Sequence, residues 1–282
     1  MPDGDDSRTV RSAPVKGTSL EFENLLAEAV THPVEGWDFG WIQEQGRFQE
    51  SALPWDYAAL VARLQQRSPD LLDLGTGGGE RLASFVPHAA RTVATESYAP
   101  NVLLAARRLS PLGIQVVRTS GALDNARQSD SDLAGRLPFR NGAFHLVIDR
   151  NEAFVAREVA RVLVHGGTFL TEQTGSSEIP ELHRLLGEPL PPVLSPLWDL
   201  ALARTQLTRA GLGVTASGEA DFEMTFGDVG ALVWYLRAVP WALPDFSVER
   251  HRDRLVELHD RMRRDGPLHI ARHGFWLEAT KP

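Results

Sequence analysis

The chain has 282 residues, 43% hydrophobic and 23% charged, the proportions of a globular protein large enough for one α/β domain with additions. A formal charge of −8 argues against a broad nucleic-acid or anionic-membrane footprint, and the absence of cysteine excludes disulfides, thiolate metal sites and thiol nucleophiles. No run of about 18 apolar residues occurs and the amino terminus lacks a basic-then-apolar leader, so a cytoplasmic location without membrane contact is expected.

Residues 1–18 carry no apolar periodicity and read as a disordered tail. Apolar residues at helical spacing predict a helix over 20–30, followed by a crowd of aromatics, Trp37, Phe39, Trp41 and Trp55, and a second helix over 55–64. The apolar run at 71–74 enters a glycine turn ending at Gly79. Short apolar runs then predict strands at 92–95, 114–117, 144–148, 168–171, 222–226 and 274–280. Helical patterns fall at 80–86, 101–109, 152–163, 195–210, 229–239 and 247–264. Strands alternating with helices imply βαβ units and a mainly parallel sheet. Two stretches break the rhythm. Residues 119–136 are polar and long for a βα connection, and 178–196, with Pro180, Pro189, Pro191, Pro192 and Pro196, predicts an irregular excursion.

The chemistry concentrates at Asp73-Leu74-Gly75-Thr76-Gly77-Gly78-Gly79. Glycines there let the backbone turn sharply and lie close to a ligand. Glu96 closes the next predicted strand about 20 residues on, where an acidic side chain grips ribose hydroxyls in doubly wound folds. A dinucleotide fingerprint would need glycine where Glu80 stands, and a negative side chain there opposes a pyrophosphate. Asp73 instead suits a cationic ligand.

Asp-x-Gly-x-Gly-x-Gly resembles motif I of class I S-adenosylmethionine-dependent methyltransferases, in the manner of the type 11 group. Leu137-Pro138-Phe139 with Phe144-His145-Leu146-Val147 is similar to that family's "LPF…FDLV" segment, and Leu163-Val164-His165-Gly166-Gly167 to its "LKPGG" turn. His145 stands for the usual Asp, and Val164-His165 for Lys-Pro. The resemblance covers roughly residues 71–171 and extends to the two closing strands.

It implies a doubly wound, Rossmann-like sheet of seven strands, mainly parallel with an antiparallel last strand. A single domain over 19–282 follows: a helical cover (19–67), a cofactor-binding core (68–176), then helical insertions and final strands (177–282). The implied cofactor is S-adenosyl-L-methionine. Asp73 would organise its amino-acid end through the turn, while Leu74, Gly75, Thr76 and Gly77 lie against it. Glu96 would take the ribose hydroxyls, with Ser97 and Tyr98 near the adenine. Asp149, Arg150 and Asn151 would sit beside the methionine portion and the reacting methyl. The adenine amino group has no assigned partner, since Thr119, Ser120, Asp130 and Asp132 all remain open.

Methyl transfer is an in-line displacement that needs alignment and exclusion of water, and a base only for an unactivated hydroxyl or amine. Glu152, expected to begin the helix after the fourth core strand, is the candidate base. A helix-start Glu favoured by the macrodipole is the competing reading. Trp37 and Trp41 are candidate lid or substrate residues, although either could simply pack a small core, and Trp234, Tyr235 and Trp241 carry the same ambiguity.

His269 and His273, expected near a turn entering the last strand, form no metal-ligand spacing, and no metal is expected. The arginines of 250–254 and 261–264 alternate with acids, as on a salt-bridged solvated helix face. Together these features favour methyl transfer to a small-molecule acceptor, with no nucleic acid expected. An RNA or protein methyltransferase, and a non-catalytic nucleoside-binding protein, are the alternatives.

Overall fold

In the first half of the chain the elements are α1 (Leu20–Thr31), α2 (Gly40–Gln43), β1 (Phe48–Glu50), α3 (Tyr57–Gln65), β2 (Asp70–Leu74), α4 (Glu80–Ser84), β3 (Arg91–Glu96), α5 (Ala99–Leu109) and β4 (Gln115–Arg118). The second half adds β5 (Phe144–Arg150), α6 (Ala156–Val162), β6 (Leu163–Thr174), α7 (Ile179–Leu186), α8 (Leu200–Arg209), β7 (Gly213–Phe226), α9 (Val229–Ala238), α10 (Arg252–Asp265) and β8 (Leu268–Thr280). This computed structural model describes residues 19–34, 39–126, 134–190 and 197–282. The predicted tail, Trp37, Asp130 and Asp132 lie outside the described residues.

Strands β2 to β6 are parallel, and their central members are buried on both faces, as helix-covered parallel strands must be. The sheet order is β1-β7-β8-β6-β5-β2-β3-β4, with β8 antiparallel to both its neighbours. The Rossmann-like class is as expected, but the sheet has eight strands rather than seven. The eighth, β1, pairs with β7 over Phe48–Glu50 and is too short to give a periodic signal.

The two closing strands are also longer than their apolar ends at 222–226 and 274–280. The extra residues of β7 are mostly small or polar, those of β8 mix Leu268, Ile270 and Ala271 with His269, Arg272 and His273, and the two strands pair antiparallel from Gly213↔Thr280 to Phe226↔Leu268. His269 lies at the start of β8, just after the bend that enters it, and His273 farther along the strand.

Three apolar clusters hold the molecule. On one face of the sheet α3, α4 and α5 pack Tyr57, Val61, Leu82, Ala105 and Leu109 onto Leu71, Ala94, Ile148 and Leu170. On the other, α6 and α8 cover Leu72, Val147, Phe169 and Phe275. The third gathers α1, α7, α9 and α10 around β1 and the far ends of β7 and β8. Its centre is α9, in which every residue from Val229 to Leu236 is buried. Asp228 caps that helix by accepting from the Ala231 N–H at 2.9 Å, and Arg47 pairs with the same carboxylate at 2.7 Å.

Trp234, 1% exposed, meets Phe39 edge-on with ring centroids 5.6 Å apart. Trp234→Ala is expected to lower unfolding stability by about 3–5 kcal/mol in chemical denaturation, the cost of a large buried cavity.

The proline-rich stretch contains a helix rather than an irregular run throughout. Pro180 occupies the first turn of α7, where its missing N–H is harmless, and Gly187 at φ 72° ends the helix. Residues 191–196 lie outside the described residues.

Candidate functional site

The site lies at the carboxyl ends of β2, β3 and β5. After Leu74 the chain leaves the sheet with positive φ at Gly75 (62°) and Gly77 (60°), the left-handed region a side chain rarely enters. The turn is tied to β3 by Thr76 N–H donating to Thr95 O at 2.9 Å and Gly77 N–H donating to Glu96 Oε2 at 2.7 Å. The other oxygen, Glu96 Oε1, accepts from the Ser97 and Tyr98 N–H groups at 2.8 and 2.7 Å. A carboxylate buried to 5% exposure thus organises both the glycine turn and the start of the next connection. Ser97 is half-buried and Tyr98 exposed. Glu80 opens α4 and pairs with Arg108 at the surface.

Three further carboxyl groups crowd behind the turn. Asp73 is buried and its pKa is pushed up to about 7, chiefly by burial and then by the charge of Glu96. Asp149 is fully buried and lies well above the ordinary carboxylate range for the same first reason, with Glu152 and Asp73 adding repulsion. Its Oδ1 accepts from Thr171 Oγ1 at 2.8 Å and from the Gln173 amide, whereas Oδ2 is buried without a partner. Glu152 is likewise pushed up to about 7 by burial, then by Glu96 and Asp73.

Glu152 does not begin a helix. It lies in the connection after β5, and α6 starts at Ala156. Asn151 adopts φ 55°, a left-handed conformation asparagine tolerates, and its Oδ1 accepts from Thr174 N–H at 2.8 Å. That turn sends the Glu152 side chain inward. A Cβ built on Gly75 would collide with Glu152 Cγ, so the carboxyl arm lies directly on the glycine. With no helix terminus at Glu152, the macrodipole reading lapses.

The segment after β4 comes over the same place. A Cβ on Gly121 would stand 2.9 Å from Ser97 Cβ and 3.7 Å from Glu152 Oε1. Between these walls, bounded by Leu74, Gly75, Thr95, Gly121 and Glu152, remains a cavity of about 20 Å³.

Arg150, next along β5, points to the opposite sheet face from Asp149. Its Nε donates to Glu172 Oε1 at 2.6 Å, and Trp55 Nε1 donates to Glu172 Oε2 at 2.8 Å. Tyr57 O–H donates to the Asp149 carbonyl at 2.8 Å. Trp41 is not brought to the turn. It stacks on His32 at 4.2 Å beside Trp234, near the β1 edge of the sheet and five strands from β2.

Sequence reasoning missed Tyr57, Glu172, Gln173 and Asn125. The one available signal was Thr171-Glu172-Gln173-Thr174, a polar run ending an otherwise apolar strand at the sheet's carboxyl edge. Among the described residues, no group of three or more His, Asp or Glu side chains could hold a metal, and no helix is long and apolar enough to cross a membrane.

The acid cluster suits a cationic ligand. Asp149 Oδ2 lacks a donor, and the charges acting on Glu152 are of its own sign, so a positive group would relieve both. A pyrophosphate would meet the opposite.

No family model matches the chain, and no curated protein matches it in sequence. Among solved structures it is similar to a protein of Bacillus halodurans C-125 proposed to be a methyltransferase, with a TM-score of 0.54 and 18% identity over 80% of this chain and 97% of that one. It is also similar to the YcgJ protein of Bacillus subtilis, with a TM-score of 0.53 and 17% identity over 79% of this chain and 97% of that one. At such identities the likeness is one of architecture, and the chain has the doubly wound α/β fold of class I S-adenosylmethionine-dependent methyltransferases.

Proposed function

We propose that the chain binds S-adenosyl-L-methionine and directs methyl transfer to a small-molecule acceptor. The observation that carries this reading is the group of buried carboxyls around the glycine turn, Asp73, Asp149 and Glu152, with a bare oxygen on Asp149. When bound, the cofactor supplies an electrophilic methyl on a sulfonium. Glu96 would take a ribose hydroxyl on Oε2, which accepts one backbone N–H and keeps a second acceptor position, whereas Oε1 already accepts two. Asp73 and Asp149 would face positive charge, and Glu152 would leave Gly75 to make room.

Once displaced, Glu152 is placed to accept a proton from an acceptor hydroxyl or amine. Glu152→Gln keeps the shape and removes the proton acceptor. Turnover at saturating cofactor is expected to fall about 100-fold, beyond the smaller loss of cofactor affinity that follows from removing one of the three carboxyls, measured by single-turnover kinetics and calorimetry. Unchanged turnover leaves alignment alone to carry the reaction.

A small acceptor is favoured by the −8 charge and by the fate of the arginine-rich helix. Arg250 pairs with Glu188, Arg252 with Glu23, Arg254 with Glu257 and Arg263 with Glu21, so these cations are already engaged. Calorimetry with S-adenosylmethionine and NAD tests the cofactor, and a preference for NAD overturns the reading. Methyl transfer assayed across small phenols, amines and carboxylates, with RNA as comparator, tests the acceptor. Preferential methylation of RNA overturns the small-molecule part.

A further inference from the structure

Gln173 is 3% exposed and lies on β6, beyond the residues any motif points to. Its side-chain amide makes more connections than any other in the site. The Nε2 group donates to Asp149 Oδ1, to Thr171 Oγ1 at 2.9 Å and to the Glu152 carbonyl at 3.1 Å. Its Oε1 accepts from Asn125 Nδ2 at 3.1 Å and from Trp198 Nε1 at 3.3 Å.

Asn125 carries the connection further. It accepts from the Phe154 N–H at 3.0 Å, and its own carbonyl accepts from Gln206 Nε2 of α8 at 2.7 Å. The segment that leaves β4, at the far edge of the sheet, therefore reaches over the glycine turn and ends on β6. Gln173 is where that segment, the Asp149 carboxyl and the backbone of Glu152 meet.

We propose that Gln173 is a positioning residue, which fixes Asp149 with one oxygen bare for a cationic ligand and latches residues 119–126 over the glycine turn. The first half rests on the cofactor reading above, and the second does not. Two consequences follow from the amide's two ends. The donor end decides how Asp149 presents its charge, because an acceptor in its place would repel the carboxylate. The acceptor end decides whether Asn125 stays docked and hence whether the Phe154 amide stays protected from exchange.

Two substitutions in the full-length chain separate these effects. Gln173→Leu removes both ends. Gln173→Glu keeps the acceptor end but presents a carboxyl to Asp149, which can donate only when protonated. Calorimetry with S-adenosylmethionine is expected to show affinity reduced about tenfold or more in Gln173→Leu at every pH between 6 and 8. Gln173→Glu should be comparably weakened at pH 8 and recover toward wild type at pH 6, a profile that general loosening of the fold would not produce.

Hydrogen exchange at Phe154 and residues 121–126 is expected to accelerate about tenfold in Gln173→Leu and in Asn125→Ala, with the rest of β5 and β6 unchanged. Wild-type affinity and exchange in Gln173→Leu overturn the proposal, and so does loss of protection throughout the sheet. If the wild-type chain does not bind S-adenosylmethionine, the cofactor reading fails separately. The exchange experiment then decides the latch by itself, supporting it if acceleration is local and overturning it if there is none.

Discussion

Replacing Glu96 by alanine is expected to weaken S-adenosylmethionine binding about 10- to 100-fold and to cost the ligand-free chain about 2 kcal/mol of stability. Both effects come from one carboxylate. A ribose hydroxyl donating to the open position of an ionised acceptor is worth about 1.5–3 kcal/mol, which is about 10- to 100-fold in affinity. The same substitution strips the acceptor from three backbone donors, Gly77, Ser97 and Tyr98. Ser97 and Tyr98 can turn toward water, since the first is half-buried and the second exposed, whereas the Gly77 N–H is enclosed. The stability cost is therefore nearer that of one unmet buried donor than of three.

The Thr76–Thr95 bond remains as the turn's tether, so Glu96→Ala should still fold. Glu96→Gln keeps the shape but presents an NH2 group to at least one backbone N–H, and an intermediate loss of both properties is expected. Calorimetric titration and chemical denaturation measure the two effects. Unchanged affinity in Glu96→Ala would mean that the ribose is held elsewhere.

That Glu96 can be singled out from the sequence follows from the physics of a parallel core. β2, β3 and β5 are buried on both faces over most of their length, so they read as mainly apolar runs, and the acidic residues toward their carboxyl ends stand out. What is not legible has equally physical causes. β1 has three residues and pairs with the edge that β7 offers it.

A helix starting at Glu152 is suggested by Phe154, Val155 and Val159, which continue an apolar helical spacing backwards. In fact Phe154 packs as a loop residue against Phe169, 5.0 Å between centroids, and the left-handed Asn151 sets the direction. Trp41 sits in an aromatic stretch that looks the same whether it covers a cleft or fills a lobe. The residues that decide this, Trp234 and Phe226 among them, are far along the chain. Gln173 escapes sequence reasoning because its meaning depends on Asn125, 48 residues earlier, and no local pattern joins the two.

Asp73→Asn is expected to make the ligand-free chain more stable at pH 8 while weakening S-adenosylmethionine binding. Asp73 titrates at about 7 in the folded chain, against 3.8 for the unconstrained side chain, and Glu152 at about 7 against 4.5. Between those limits the folded state keeps protons that the unfolded state has released. Stability therefore falls as pH rises from about 4 to 7, then levels once both states are ionised. A tenfold difference in proton affinity between the two states corresponds to about 1.4 kcal/mol, so the penalty at pH 8 is several kcal/mol for the coupled group.

Asparagine cannot ionise and removes the Asp73 share. Asp73→Asn should thus unfold at a higher temperature than wild type at pH 8, and at a similar one near pH 4.5. It also removes part of the negative potential proposed to receive the cofactor, so affinity should fall about tenfold or more. Saturating S-adenosylmethionine should in turn stabilise wild type more at pH 8 than at pH 5, because its positive charge favours the ionised carboxyls. Thermal unfolding from pH 4.5 to 8 measures all of this. A wild-type melting temperature that stays level or rises over that range would show that these carboxyls are not held protonated, and a stabler Asp73→Asn that binds as wild type would place the cation elsewhere.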